Sequence, residues 1–439
     1  MKLYDGQMRS ATSADVSEAQ QIMDLEREYL LQNYSRYPLA LDHGDGCYVY
    51  DVDGNRYLDF IAGIGVNALG HAHPRIVDVI REQAGLLIHS SNLYYHRFQG
   101  PLAKRLAEVS GLQRSFFANS GTEAMEGALK MVRAHGNKIN PAKIEILSLE
   151  NSFHGRTLGA LSITGQPKYR RDFEPLVPGV KFLPQNDIAA LERAFNERTA
   201  GIVIEWIQGE GGIFPISDEY GRRARELADR YNALLVFDEI QCGVGRPGTW
   251  FGYQLANPVV LPDVMVAAKP LACGLPLGVI VANEKAAAAI GPGMHGSTFG
   301  GSALACRVAL EFFDILDDLL PSIRRTGDYF VARLQELAAK YAFVREVRAR
   351  GLMVGVDMSL PGKQMVADAQ SRGLLINCTH DTVLRFLPPY IVTENEVDAA
   401  VGILDGIFAA QASQYILPPV VVEKFDDVAH LLRALTVGN

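Results

Sequence analysis

The chain has 439 residues, 48% of them hydrophobic and 21% charged, which excludes a disordered or fibrous protein and allows one large domain with a smaller companion. Lys and Arg number 42 against 50 Asp and Glu, a formal charge of −8, and the basic residues are scattered. That pattern argues against a nucleic-acid or anionic-membrane surface and favours small-molecule ligands. Cys47, Cys242, Cys273, Cys306 and Cys378 are odd in number and far apart, and read as free thiols of a reducing compartment. Neither a secretory leader nor a membrane span is expected, since the first residues carry early acids and no apolar stretch, and the longest apolar region, 261–290, is interrupted by Lys269, glycines and prolines. A cytoplasmic protein without a metal is expected.

In chain order, a helix is expected over Asp15–Leu31, followed by short strands in GCYVYDVDGNRYLDF with a turn at Asp53-Gly54. The apolar runs IEILSL, AGIVIEWI, ALLVF, DVMVAA and LGVIVA then alternate with helical stretches such as Glu123–Ala134 and Tyr220–Tyr231. Such alternation predicts an α/β fold with a mostly parallel sheet covered by helices. A helix over Ser302–Leu319 is expected to lead out of the sheet. LQELAAKY, GLMVGVDM, a helix near Met365–Ser371, LLINCT, VLRFLPP and a helix over Glu394–Ala409 follow as a second, α+β unit. The expected division is 1–60 as an N-terminal part of the small domain, 61–315 as the large domain, 316–412 as the C-terminal small domain and 413–439 as an extension. Within the extension, Val428, Leu431, Leu432 and Leu435 fall on one helical face.

Gly243-Val-Gly-Arg-Pro-Gly248 has the glycine spacing of a dinucleotide loop, but no helical pattern follows Gly248, so these residues read as a tight surface turn. Asp238 instead ends the buried run LLVF, at the sheet edge where open α/β folds bind ligands, although a capping or ion-paired acid fits as well. Lys269 ends the next such run. A lysine desolvated there loses its ammonium form and becomes a nucleophile, and the alternative is a lysine snorkelling from the core edge. An amine and a carboxylate at adjacent strand ends suit pyridoxal phosphate, which needs an imine partner and an acid for its ring nitrogen. Ser120, Gly121 and Thr122 open a helix and offer a phosphate cradle or a plain N-cap. The loop Asn151–Thr157 gathers Phe153, His154 and Arg156, an aromatic face, an imidazole and a carboxylate-binding fork. Arg385, among apolar neighbours in VLRFLPP, needs an anion, either Glu210 or a substrate.

With these residues in place, the chain resembles the class III, fold-type I pyridoxal-phosphate aminotransferases, most closely the acetylornithine aminotransferases. The resemblance runs from Tyr34 to Pro389 through YLDFIAGIGVNALGHAHP, SSNLYY, NSGTEA, NSFHGRTLGALSITG, EWIQGEGG, DEIQCGVGR, Lys269, HGSTFGG and LRFLPP. It implies Lys269 as the Schiff-base lysine, Asp238 as the partner of the pyridine nitrogen and Gln241 as a ligand of the phenolic oxygen. It implies Phe153 stacked on the ring with His154 beside it, and Ser120, Gly121 and Thr122 at the phosphate, joined by Thr298 from a second subunit of a homodimer. For substrates it implies Arg156 at one carboxylate and Arg385 at the α-carboxylate of glutamate, with Glu210 as the switch that covers Arg385. Tyr34 and Ile64 would line the same pocket, Ile64 standing where ornithine-specific relatives carry tyrosine.

The implied reaction moves the ω-amino group of N2-acetylornithine to 2-oxoglutarate, giving glutamate by ping-pong kinetics, with 4-aminobutyrate and succinylornithine as alternative donors. An NAD-dependent dehydrogenase would rest on Gly243–Gly248 alone, and a non-catalytic scaffold would have no need of Lys269. Two positions depart from the family pattern. Trp206 replaces a usual proline and is expected to reshape the pocket wall, and Pro270 is expected to bias Lys269 toward an extended backbone.

Overall fold

The computed structural model describes residues 16–414, and the helix expected over Asp427–Leu435 lies outside them. The central sheet has seven strands, in the spatial order Arg114–Ala118, Gly278–Ala282, Val264–Ala267, Leu234–Asp238, Thr199–Glu205, Glu145–Leu149 and Val180–Leu183. Gly278–Ala282 is antiparallel to both neighbours, and the remaining pairs are parallel. Parallel strands need a cover on each face, which explains why their sequences are continuous apolar runs. Every residue of Leu234–Asp238 and Val264–Ala267 is buried.

The helix Gly121–Ile139 covers one face, burying Met125, Ala128, Leu129 and Val132 against Ile146, Val203, Val236 and Val266. Its glycines permit that approach. A Cβ at Gly136 would lie 2.1 Å from the Lys143 carbonyl, and one at Gly127 would lie 2.3 Å from Ile280 Cδ1. The helices Gln99–Ser110 and Asp218–Arg230 pack on the other face, and a 36-residue helix, Ala303–Ala338, packs against Gln99–Ser110 and the strand Val344–Arg350. The helix expected here was Ser302–Leu319, about half of the observed length. The chain instead runs helically through Pro321, because Phe312, Phe313, Leu316, Ile323, Phe330 and Leu334 continue one buried stripe across the proline. Tertiary burial outweighs the roughly 3 kcal/mol that an interior proline costs a helix.

The N-terminal strands Leu41–Asp45, Tyr48–Asp51 and Arg56–Asp59 form a meander whose last member pairs in parallel with Leu374–Leu375, so the two ends of the chain share a sheet. A second small sheet is antiparallel, in the order Val344–Arg350, Met353–Met358, Val383–Phe386, Asn377–Thr379. The expected first helix spans Glu18–Tyr29 and buries no residue. All five cysteines are free thiols, and no helix among the described residues is long and apolar enough to cross a membrane.

The GVGRPG segment is not a surface turn. Gly243 to Gly248 are buried, and after Gly248 comes only a 3-10 turn at Gly252–Leu255, so no helix offers its N-terminus to a dinucleotide. Arg246 is fully buried. Its Nη1 donates to the carbonyls of Pro388 at 2.5 Å and Leu352 at 3.2 Å, and its guanidinium lies 4.5 Å from the centre of the Tyr390 ring. The segment therefore clamps the central sheet to the C-terminal strands. Arg246→Met should leave two buried carbonyls without donors and lower stability by about 2 kcal/mol, read as a lower midpoint in urea unfolding.

Candidate active site

At the carboxyl edge of the central sheet is a cavity of about 400 Å³, lined among others by Ser120, Gly121, Thr122, Phe153, His154, Arg156, Glu205, Asp238, Gln241 and Lys269. This volume falls in the range of small-ligand sites. Asp238 closes its strand and is buried. Its Oδ2 faces His154 Nδ1 at 2.7 Å, and its Oδ1 accepts the Ile240 N–H at 3.0 Å. Glu205 lies in register with Asp238 on the neighbouring parallel strand, and accepts the N–H groups of Phe153 at 3.0 Å and Gly209 at 3.3 Å.

The electrostatics follow from this enclosure. Burial alone would depress the His154 pKa, but the hydrogen bond and charge of Asp238, with the charge of Glu205, raise it above the ordinary imidazole value. Burial, with the nearby charge of Asp238, pushes Glu205 up to about 7 against the opposing pull of His154 and two backbone N–H groups. Glu239, buried behind Asp238 and capping the N–H groups of Gly252 and Tyr253, is likewise raised to about 7, chiefly by burial. His154 Nε2 is buried without a hydrogen-bond partner.

Lys269 follows the strand Val264–Ala267 and opens a 3-10 turn at Lys269–Ala272. Its backbone has φ +41°, in the left-handed region, and is not extended as Pro270 suggested. A non-glycine residue held there is strained, and such strain concentrates at functional positions. Burial lowers its pKa, the first requirement of a nucleophilic amine, while Glu210 opposes the shift. Among the described residues no side chain hydrogen-bonds or ion-pairs with its Nζ.

Ser120 caps the helix Gly121–Ile139 by accepting the Glu123 N–H, which leaves the first-turn N–H groups of Gly121 and Thr122 without partners inside the helix. Two glycines shape this end. A Cβ at Gly278 would lie 2.2 Å from the Ser120 carbonyl, and one at Gly155 would lie 2.3 Å from Thr122 Oγ1. Thr122 Oγ1 also meets Thr157 Oγ1 at 3.0 Å, tying the cradle to the loop that carries Phe153 and Arg156.

Two arginines differ in their pairing. Arg156 is exposed, with its guanidinium 4.1 Å from the Tyr169 ring centre and 5.4 Å from that of Phe153, and no carboxylate among the described residues pairs with it. Arg385 is 1% exposed. Its Nη1 meets Glu210 Oε1 at 2.5 Å and Gln241 Oε1 at 3.0 Å, and its Nε donates to Asn377 Oδ1 at 3.1 Å. Despite burial, the charge and hydrogen bond of Arg385 keep Glu210 below the usual carboxylate range. The arrangement therefore offers an anion cradle, a desolvated amine, a buried acid and two separate carboxylate anchors.

Of the residues singled out in the sequence, Glu210 and Arg385 are not among those lining this cavity and connect to it through Gln241, and Tyr34, Ile64 and Thr298 do not line it either. All three are exposed, Tyr34 in a groove with Glu26 and Arg36, Ile64 at φ +62°, and Thr298 on the segment that carries exposed Phe299. Nor does Trp206 form the pocket wall. Its indole is buried on the far side of its strand, edge-on to Phe237 and against Gly221, where a Cβ would lie 2.7 Å from the indole. Sequence reasoning missed Glu205, Tyr169, Asn377 and Thr379. Glu205 carried a usable signal, an acid ending the apolar run AGIVIE as Asp238 ends its own.

A family model described as Aminotransferase class-III matches residues 29–408. A protein of Methanocaldococcus jannaschii named acetylornithine aminotransferase is 48% identical over 389 residues, 88% of this chain and 97% of that one. One of the same name from Aquifex aeolicus is 45% identical over 86% of this chain and 98% of its own. The crystal structure of an ornithine aminotransferase from Toxoplasma gondii superposes with a TM-score of 0.86 at 32% identity, covering 91% of this chain and 97% of that one.

Glu205 and Glu239 hold protons in the folded state that the unfolded chain releases near pH 4.5, and His154 holds one beyond its ordinary 6.5. The native state thus binds more protons than the unfolded one, and these groups make stability fall as pH rises from about 4.5 through 7. Glu205→Gln should flatten the decline of the urea midpoint between pH 5 and 7, and an unaltered slope would count against this assignment.

Proposed function

The chain belongs to the class-III aminotransferases, and from that premise we propose that it moves the ω-amino group of N2-acetylornithine, or a close ω-amino acid, to 2-oxoglutarate. The observation that carries this reading is the unequal state of its two arginines, one unpaired at the rim and one already neutralised by Glu210. A rim cation fits the carboxylate of a long ω-amino acid at the end far from its reacting amine. A masked Arg385 spares that donor the need for a second carboxylate, and an unmasked one receives the second carboxylate of glutamate or 2-oxoglutarate. The acetylated donor is preferred to free ornithine because relatives named for it are 41–48% identical to this chain over most of its length.

The residues present fit pyridoxal phosphate. The unpartnered first-turn N–H groups of Gly121 and Thr122 suit a phosphate, Phe153 offers a ring face, and the buried Asp238 carboxylate suits a protonated ring nitrogen. Bound there, the cofactor would supply an electron sink and a carrier for the amino group. His154 holds Asp238 by a hydrogen bond at Oδ2, and the Ile240 N–H fixes the orientation of the other oxygen. Nζ of Lys269, whose ammonium form burial disfavours, takes the proton from the substrate carbon that bears the amine and later returns one. Gln241, hydrogen-bonded to Arg385, links the cofactor end of the cavity to the substrate end. Gly209 makes that contact possible, since a Cβ there would lie 1.9 Å from Gln241 Oε1.

The reading includes a homodimer. Leu93, Tyr94, Tyr95 and Phe299 are exposed on two segments joined by Asn92 to Ser297 and Gly300, an apolar surface of the kind that a second copy covers. Thr298 on that surface would serve the partner's phosphate cradle.

The test is a donor panel with 2-oxoglutarate as acceptor, using protein saturated with pyridoxal phosphate. N2-acetylornithine should give the highest kcat/KM, and a tenfold preference for 4-aminobutyrate or free ornithine would displace it. Lys269→Ala should lower transfer by about a thousandfold or more while the melting temperature changes little.

A further inference from the structure

The turn Gln208–Gly212, which carries Glu210, is tied down at three backbone groups by three separate strands. The Gly209 N–H donates to Glu205 Oε1 at 3.3 Å, the Glu210 carbonyl accepts the Thr379 hydroxyl at 2.5 Å, and the Gly212 carbonyl accepts Arg348 Nε–H at 3.0 Å. Glu205 ends a strand of the central sheet, Thr379 belongs to Asn377–Thr379, and Arg348 to Val344–Arg350. Arg348 is itself held by Glu346 and Asp357. The glycines leave little slack, since a Cβ at 209 or 211 would lie within 2.5 Å of a glutamine side-chain oxygen. Thr379 is 7% exposed and Glu205 is 5% exposed, so neither bond is readily exchanged for water. The Glu210 side chain, by contrast, keeps 22% of its surface exposed.

The strand that carries Thr379 also carries Asn377, whose Oδ1 accepts from Arg385 Nε. One short strand therefore holds both halves of the ion pair, the arginine by its side chain and the glutamate by its main chain. We propose that Thr379 is a positioning residue for the Glu210–Arg385 pair. Its hydroxyl pins the Glu210 backbone, so that Arg385 is uncovered by rotation of the Glu210 side chain over a stationary turn. The hydroxyl thereby sets the preference of the site between a substrate that lacks a carboxylate for Arg385 and one that brings it. The inference rests on the reading of Arg385 as the anchor for that carboxylate.

The test uses the holoenzyme and glutarate, a dicarboxylate without an amine. Thr379→Val keeps the side-chain volume and removes the donor, which weakens the covered state. Glutarate should bind about fivefold more tightly by calorimetry, and kcat/KM for the ω-amino donor should fall by a similar factor. Thr379→Ser should restore both values, and Glu210→Ala should shift both in the same direction as the valine variant. If Glu210→Ala leaves both unchanged, the anchor reading fails and takes this proposal with it. If Glu210→Ala shifts them while Thr379→Val does not, or lowers both affinities alike, Thr379 alone is misassigned. Amide hydrogen exchange of residues 209–212 in the unmutated protein gives a readout independent of any variant's folding. Glutarate should leave these rates within about twofold, and acceleration by about tenfold or more would show that the turn itself moves and overturn the proposal.

Discussion

The Asp238 carboxylate, held between an imidazole at 2.7 Å and a backbone N–H at 3.0 Å, is the interaction on which the rest of the site depends. A charge at the end of a buried parallel strand has no water to support it, so its partners must come from the protein. His154 faces it with a pKa raised by that contact, burial favours a proton on Glu205 beside it, and burial disfavours one on Lys269. Burial drives the shifts of Glu205 and Lys269, whereas the hydrogen bond and charge of Asp238 raise His154 against the effect of burial. The reactivity of the cavity is thus a consequence of where the sheet ends.

The same constraint explains the density of glycine around the site. Gly121, Gly155, Gly209 and Gly278 each stand where a Cβ would meet Ile240, Thr122, Gln241 or the Ser120 backbone at 2.8 Å or less. Removing side chains there lets backbone and polar groups approach one another closely enough to exclude solvent, which strengthens every charge interaction inside. The strained φ of Lys269 is part of this economy of space. Arg246 and Arg348 carry the arrangement outward, joining the central sheet and the Gln208–Gly212 turn to the C-terminal strands. The two arginines consequently rest on different parts of the chain, Arg156 on a loop after a central strand and Arg385 within a C-terminal one.

Much of the fold was legible because buried parallel strands leave uninterrupted apolar runs, and the five runs named in the sequence all became strands of the central sheet. Strands without that signature were missed. Val344–Arg350 reads as charged because only one of its residues is buried, and only its pairing with Met353–Met358 reveals it. The long helix was expected to end at Leu319, whereas its buried stripe continues through Pro321 to Leu337. Trp206 and the GVGRPG segment were assigned to the pocket wall and the surface, whereas both are interior. Composition alone cannot say which side of a strand a residue faces once both sides are buried.

The sequence by itself determined which ionisable groups stand at strand ends, since an apolar run that stops at Asp238, or shortly before Lys269, delivers that group to the sheet edge whatever follows. It also determined the helix start at Ser120, because capping and free N–H groups are local properties. Only the tertiary structure decided the pairings. His154 and Asp238 are 84 residues apart, Glu210 and Arg385 175, and Thr379 and the Glu210 carbonyl 169. Hydrogen bonds of about 3 Å between such distant positions depend on strand order, register and glycine-permitted contact, which are properties of the packed molecule and leave no periodic trace in the chain.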